Sequence, residues 1–174
     1  NDIYEANYDF AKAKSAYVFK TIVDPFIGKY SLIKVCSGVI KGEDTLYNPT
    51  KDADEKPGKI YVLQGGKPIE VPELHAGDIG AIAKLNTVAT GDTLSTRTTP
   101  VVFGKTEISV PYTCKRYKTV NKGDEDKVSQ ALSRMMQEDQ TLRIENDSAN
   151  RQTLMYGIGE QHLDIVCSKL KERY

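Results

Sequence analysis

Residues 124–174 read DEDKVSQALSRMMQEDQTLRIENDSANRQTLMYGIGEQHLDIVCSKLKERY, and the changing hydrophobic period along this stretch decides the fold of the C-terminal part. Within 124–139 the apolar residues Val128, Ala131, Leu132 and Met135 recur at i, i+3, i+4 and i+7, the spacing of an amphipathic helix. Asp124, Glu125 and Asp126 crowd its first turn, where the helix dipole favours negative charge. Two strand-like runs follow, TLRIEND (141–147) and QTLMYGIG (152–159), joined by the polar SANR, which suits a hairpin loop. EQHLDIVCSKLKERY (160–174) then puts Leu163, Val166, Cys167 and Leu170 on one helical face, with Tyr174 a turn further on. Just upstream, ISVPYTCKRY (108–117) reads as another strand. The order β-α-β-β-α is the ferredoxin-like split βαβ arrangement of an α+β domain, lacking its final strand, as if cut from a longer protein.

Working back toward the N-terminus, the pattern becomes one of short strands. AYVFKTIVD, KYSLIKVCSGVI, DTLYN, KIYVLQ, KPIEVP, DIGAIAKL and DTLST are separated by turn residues at Pro25 to Gly28, Gly42, Pro49, Gly65-Gly66, Gly77 and Gly91. Such closely spaced runs predict an all-β barrel over 16–97. Gly65-Gly66 is a hairpin signal of the type I′ kind, in which both central residues take φ > 0. Pro100 and Gly104 interrupt the strand rhythm, so 98–107 reads as a linker and 108–174 as the second domain. The opening NDIYEANYDFAKAKS (1–15) has neither a signal-peptide apolar region nor transit-peptide character and reads as a linker or an artificial chain end.

Composition limits the function classes. Hydrophobic residues at 39% and charged residues at 28% describe a soluble globular protein, and no apolar run approaches the ~20 residues of a membrane span. Three dispersed cysteines, Cys36, Cys114 and Cys167, fit neither a disulfide framework nor a zinc site, which favours a reducing cytoplasm and core packing for each. Lys plus Arg equals Asp plus Glu at 24 each, so any nucleic-acid contact must come from a local patch. CKRYKTVNK supplies one, with Lys115, Arg116, Lys118 and Lys122 around Tyr117: charges for phosphate and a ring for stacking, or else a lysine-rich strand edge that discourages aggregation.

At this point the wording itself becomes specific. AYVFKTIVDPFIGKYSLIKVCSGVIKGEDTLYN and GDIGAIAKLNTVATGDTL closely resemble the second domain of elongation factor G and its paralogues. The stretch from Asp124 to Tyr174, with G-x-G-E-x-H-L at Gly157, Gly159, Glu160, His162 and Leu163, resembles the third. The barrel is then expected to be of the translation-factor type, with Gly28-Lys29 and Gly91-Asp92 in turns that match the family. The resemblance implies a fragment of a ribosome-stimulated GTPase that promotes translocation in protein synthesis. It implies contacts with small-subunit RNA and protein and with a GTPase domain of the same chain, but no membrane partner and a monomeric fragment. GTP and magnesium belong to that GTPase domain, since nothing here matches G-x-x-x-x-G-K-[ST] and GGKPI at Gly65 lacks the following helix. Ribosomal protection proteins and other paralogues are the close alternatives, and a free-standing hydrolase of acylphosphatase type is the alternative from a different class. One departure is Asp139-Gln140, where the family often has Asp-Pro, so the first helix must stop by another signal.

No catalytic, cofactor-binding or metal residue is expected. Gly157, Gly159, Glu160 and His162 are partner-contact candidates. The fold-based reading of the glycines assigns one to a tight, possibly left-handed turn and the other to close helix approach. Glu160 already supplies negative charge to the helix start, which favours a protein over a phosphate there. His162 lacks spaced ligand partners and reads as a hydrogen-bonded structural histidine. Lys169 and Arg173, four residues apart, share a face away from Leu163 and Val166, open to solvent or to RNA.

Overall fold

The computed structural model describes residues 5–24 and 28–174, apart from the side chains of Asp24 and Lys122. The chain divides into two units, Asn1–Thr106 and Glu107–Tyr174.

Unit 1 is all β. Its strands are β1 (Ser15–Asp24), β2 (Gly28–Ser37), β3 (Val39–Lys41), β4 (Leu46–Asn48), β5 (Ala53–Glu55), β6 (Ile60–Gln64), β7 (Lys67–Val71), β8 (Glu73–His75), β9 (Ile79–Ala83) and β10 (Thr93–Leu94). A six-stranded sheet runs β10-β1-β2-β9-β6-β7, accompanied by the pairs β3-β8 and β4-β5. A bridge from Tyr47 to Ser95 links β4 to the residue after β10 and helps to close the barrel. The alternation in β2 explains its central place. Ile33 and Val35 enter the barrel core with Val18, Ile40, Leu46, Ile82 and Leu94, while Tyr30 and Leu32 pack with Ala81 and Tyr61 in a second cluster. Burial on both faces calls for apolar residues on each, which Ile33 and Val35 supply on one face and Tyr30 and Leu32 on the other.

The run KYSLIKVCSGVI is two strands, not one. Gly38 is left-handed at φ +72, and a Cβ there would lie 2.6 Å from the Lys14 backbone, so the chain can turn only at glycine. Gly65 and Gly66 do close the β6-β7 hairpin between Gln64 and Lys67, but only Gly65 is left-handed (φ +60), the requirement of a type II′ turn. Gly28 opens β2 at φ +95, and residues 25–27 of the expected turn lie outside the described residues. So do residues 1–4 of the opening stretch. Farther along it, the Ala13 carbonyl accepts from Ser37 Oγ (2.7 Å) and the Asp9 carbonyl from Gly38 N–H (2.9 Å). Beyond β10 the chain stays against unit 1. Val101 is buried, the Phe103 N–H donates to Thr93 Oγ1 (2.9 Å), and the Thr106 N–H donates to the Tyr17 hydroxyl (3.3 Å).

Unit 2 contains β11 (Thr113–Tyr117), α1 (Glu125–Glu138), β12 (Arg143–Asp147), β13 (Gln152–Gly157) and α2 (Glu160–Arg173), the expected β-α-β-β-α order. Its antiparallel sheet runs β11-β13-β12. Leu132 and Met135 of α1, Leu163 and Val166 of α2, and Leu142 and Met155 of the sheet layer form one core, joined by the half-buried Tyr117. The helices therefore cover the sheet face that carries Met155. Strand alternation puts Tyr156, and opposite it Cys114 and Arg143, on the other face, where the Arg143 guanidinium lies 4.6 Å from the Tyr156 ring centroid. Two expectations fail here. Cys114 and Cys167 are exposed rather than packed, the first on the uncovered sheet face and the second just outside the buried stripe of α2.

Candidate functional site

The link from β13 to α2 is built around one glycine, and it is the first. A Cβ on Gly157 would lie 2.6 Å from His162 Nδ1 and 2.7 Å from Leu163 Cδ2, so the close approach of helix to strand excludes any side chain. Gly159 is extended (φ 163), and a Cβ there would meet nothing nearer than the Tyr112 hydroxyl at 3.9 Å. The left-handed turn considered for this pair is absent, and the fold of unit 2 does not explain the bareness of Gly159.

His162 is hydrogen-bonded through both ring nitrogens. Its Nδ1 accepts the Ile158 N–H (3.2 Å), which leaves Nε2 to donate to Asp139 Oδ2 (2.8 Å). Asp139 is the stop signal that the missing Asp-Pro left unassigned. Its backbone is extended (φ −129, ψ 102) while its N–H still reaches the Met135 carbonyl, and its Oδ1 accepts from the Thr141 N–H (2.9 Å) and Oγ1. Burial pushes the Asp139 carboxyl up, but the bonds from Thr141 and His162 together outweigh this and hold it below its ordinary value. One aspartate thus ends α1 and ties it to the start of α2. Sequence reasoning missed the pairing, although Asp-x-Thr after a helical run is a recognisable side-chain turn. Glu160 is exposed in the first turn of α2 and reaches no described partner by hydrogen bond or ion pair.

The basic patch does not act as one surface. Successive residues of β11 face opposite ways, so Lys115 turns to the helix side and pairs with Asp164 (2.9 Å), a bond that raises its pKa. Tyr117 is half-buried against the core of unit 2, where burial pushes its hydroxyl up. Arg116 and Lys118 are exposed without a partner among the described residues; the Lys122 side chain lies outside them. Arg173 is held by Glu138 (3.3 Å) at the far end of α1, whereas Lys169 is exposed and unpaired among the described residues.

In unit 1 the positions Gly28-Lys29 and Gly91-Asp92 belong to one internal network. Asp92 is 2% exposed and its Oδ2 accepts from Asn48 Nδ2 (3.0 Å) and the Ala89 N–H (3.0 Å). Glu55 is also buried and its Oε1 accepts from the Thr87 N–H (2.6 Å) and hydroxyl (2.7 Å). Lys29 Nζ donates to the Val88 carbonyl (2.7 Å). Burial lowers its pKa, opposed by the charges of Glu55 and Asp92. The network fixes the segment between β9 and β10, and its Glu55 went unread because Ala-Asp-Glu does not resemble a strand. The Gly65-Gly66 turn leads into β7 rather than a helix, so this glycine pair forms no phosphate-cradling loop.

Comparison with known proteins settles the family. Residues 13–97 match the model described as elongation factor G domain 2, and residues 109–174 match that of elongation factor G domain III. The chain belongs to the elongation factor G family. It carries the second and third domains of that family in series, as an all-β barrel followed by an α+β domain, and the free-standing hydrolase reading is set aside. A crystal structure of a protein from Thermus thermophilus is similar at a TM-score of 0.81 and 26% identity, over 92% of this chain and 24% of that one. The chain therefore spans about a quarter of the length of that relative. Among the described residues no helix is long and apolar enough to cross a membrane, and no group of three or more His, Cys, Asp or Glu side chains could hold a metal ion.

Proposed function

We propose that this chain is the ribosome-contacting middle part of an elongation factor G-type translocase. The observation that carries the reading is the succession of the two family domains over residues 13–97 and 109–174. In this reading the barrel and the α+β unit touch small-subunit RNA and protein in the cytoplasm. They relay the nucleotide state of a GTPase domain of the same protein, which holds GTP and magnesium, and these two units perform no catalysis of their own. A relay needs a rigid element that a partner can push. The His162–Asp139 link supports that role, because it joins the entry of α2 to the exit of α1 and makes the helix pair respond as one body. Gly159 and Glu160 stand at its exposed end, where a protein partner can approach bare backbone beside a carboxylate.

Sedimentation of the chain with purified ribosomes tests the reading. We expect the chain to pellet with the small subunit and, because it binds no guanine nucleotide, to give no heat on titration with GTP and magnesium. Absence from the ribosomal pellet at low salt, or micromolar GTP affinity in calorimetry, would overturn it. In the full-length factor, Glu160→Gln should slow translocation while leaving the folded stability of unit 2 unchanged.

A further inference from the structure

Two hydrogen bonds with opposite requirements meet at the His162 ring. The Ile158 N–H can only donate, so Nδ1 must be an unprotonated acceptor (3.2 Å). Asp139, ionised at neutral pH, can only accept, so Nε2 must carry the proton (2.8 Å). Both bonds are made together only by the neutral Nε2–H tautomer. Turning the ring over does not serve, since it sets Cδ2 against the Ile158 N–H and Cε1 against Asp139. Gly157 closes over Nδ1, where a Cβ would lie 2.6 Å away, so no side chain at that position can take over as acceptor. The His162 side chain is 15% exposed, shielded yet within reach of solvent protons.

We propose that His162 is a protonation latch on the turn from Ile158 to Glu160. When Nδ1 takes a proton from water it becomes a donor, meets the Ile158 N–H donor to donor, and that bond is lost. The bond to Asp139 meanwhile becomes an ion pair and strengthens. One proton thus frees the turn that enters α2, while the tie between α2 and the end of α1 holds. The surrounding charges are engaged elsewhere. At the end of α1, Asp139 faces the ring and its neighbour Glu138 turns to Arg173 (3.3 Å). From β11, Lys115 pairs with Asp164 of α2 (2.9 Å), and the exposed Glu160 acts on Lys115 through its charge. On β12, Arg143 lies over Tyr156 on the opposite sheet face. No other ion pair or hydrogen bond reaches the ring among the described residues. Where the turn meets a partner, as in the ribosome-contact reading, that partner finds Gly159 and Glu160 held above the switch and loose below it. The latch itself does not depend on that reading.

The test is NMR of the full chain between about pH 8 and about pH 5.5, the range in which imidazole titrates. The ring nitrogen signals of His162 report its protonation, and amide exchange, corrected for intrinsic rates, reports the protection of Ile158 and Asp139. We expect Ile158 to lose protection by at least about 5-fold in step with the ring, the factor that one hydrogen bond is worth. The Asp139 N–H, bonded to the Met135 carbonyl (2.9 Å), should keep its protection within about 2-fold, because the charged ring holds its carboxylate at least as firmly. Two variants divide the two bonds. His162→Asn sets a carbonyl oxygen where Nδ1 stood and should hold the Ile158 amide throughout the range. His162→Gln sets an NH2 group where Nε2–H stood, keeps Asp139 and should leave the Ile158 amide open throughout. Ile158 protection that does not follow the ring, a ring that stays neutral over the whole range, or equal loosening at Asp139 would each overturn the latch, as would the parent's pH response surviving in either variant. If neither variant folds, the titration of the parent decides alone. A chain that titrates as expected but fails to pellet with ribosomes would uphold the latch and sink the proposed function. A pelleting chain with a flat Ile158 response would sink the latch alone.

Discussion

Among the described residues, the buried polar and charged side chains all belong to unit 1: Ser15, Thr21, Ser31, Ser37, Asn48, Glu55, Asp92, Thr93 and Ser95. Unit 2 buries only apolar residues and keeps its charges outside. The barrel's buried carboxylates are spent on internal fixings, since Asp92 and Glu55 satisfy backbone N–H groups of the segment between β9 and β10. The α+β unit has a thin apolar core between two helices and one face of a three-stranded sheet, and leaves the other face open. In unit 1 buried carboxylates hold loops to strands, whereas in unit 2 the apolar core alone holds the layers together and the ion pairs lie outside it.

The sharpest way to break this comparison is Asp92→Ala. It leaves the buried Asn48 Nδ2 and the Ala89 N–H without their acceptor and takes a counter-charge from Lys29. The expected cost is about 3 kcal/mol, confined to unit 1 and read by hydrogen exchange resolved along the chain. The matching change in unit 2, Glu145→Ala, removes an exposed pair with Arg143 and should cost under about 0.5 kcal/mol. If the two changes cost the same, the contrast between a barrel held by buried carboxylates and a unit held by its apolar core is wrong.

The same contrast marks what could be read from the chain. Helices and most strands were legible because their apolar periods are set by local geometry. Val128, Ala131, Leu132 and Met135 had to share a face whatever they packed against. What escaped were strands and contacts fixed by distant partners. β5 is a strand because Leu46 pairs with Glu55 and Thr87 bonds to its carboxylate, and no feature of Ala-Asp-Glu announces that. The basic patch looked continuous in sequence but is divided by strand alternation, which turns Lys115 toward the helices and Arg116 away from them. The glycines of the G-x-G motif were legible as a pair but not individually. Serine placed at each separates them. Gly157→Ser should destabilise unit 2 by about 2 kcal/mol through its clash with His162 and Leu163. Gly159→Ser at the helix cap should change stability by less than about 0.5 kcal/mol. Equal losses at both positions in denaturation would mean that the fold, not a partner, demands Gly159.

The smallest expected effect concerns acid. Asp139 has its folded-state pKa depressed by the Thr141 and His162 bonds, despite the opposing effect of burial. A depressed carboxylate stabilises the fold fully above its unfolded value of about 3.9, and this contribution is lost as pH falls through the folded value below that. Unit 2 should therefore loosen in acid at the junction of α1 and α2 before its strands do. The carboxylate is 41% exposed, so solvent screening holds the contribution to under about 1 kcal/mol. Asp139→Asn keeps an oxygen for Thr141 but has no charge to lose, so it should remove this part of the acid dependence while lowering stability slightly at neutral pH. The check is amide exchange of the residues around Ile158 and His162, compared between parent and variant from neutral pH to about pH 3 and corrected for intrinsic exchange rates. If the parent and the variant loosen in parallel across that range, Asp139 contributes nothing through its charge. The link between the helices would then be a neutral hydrogen bond.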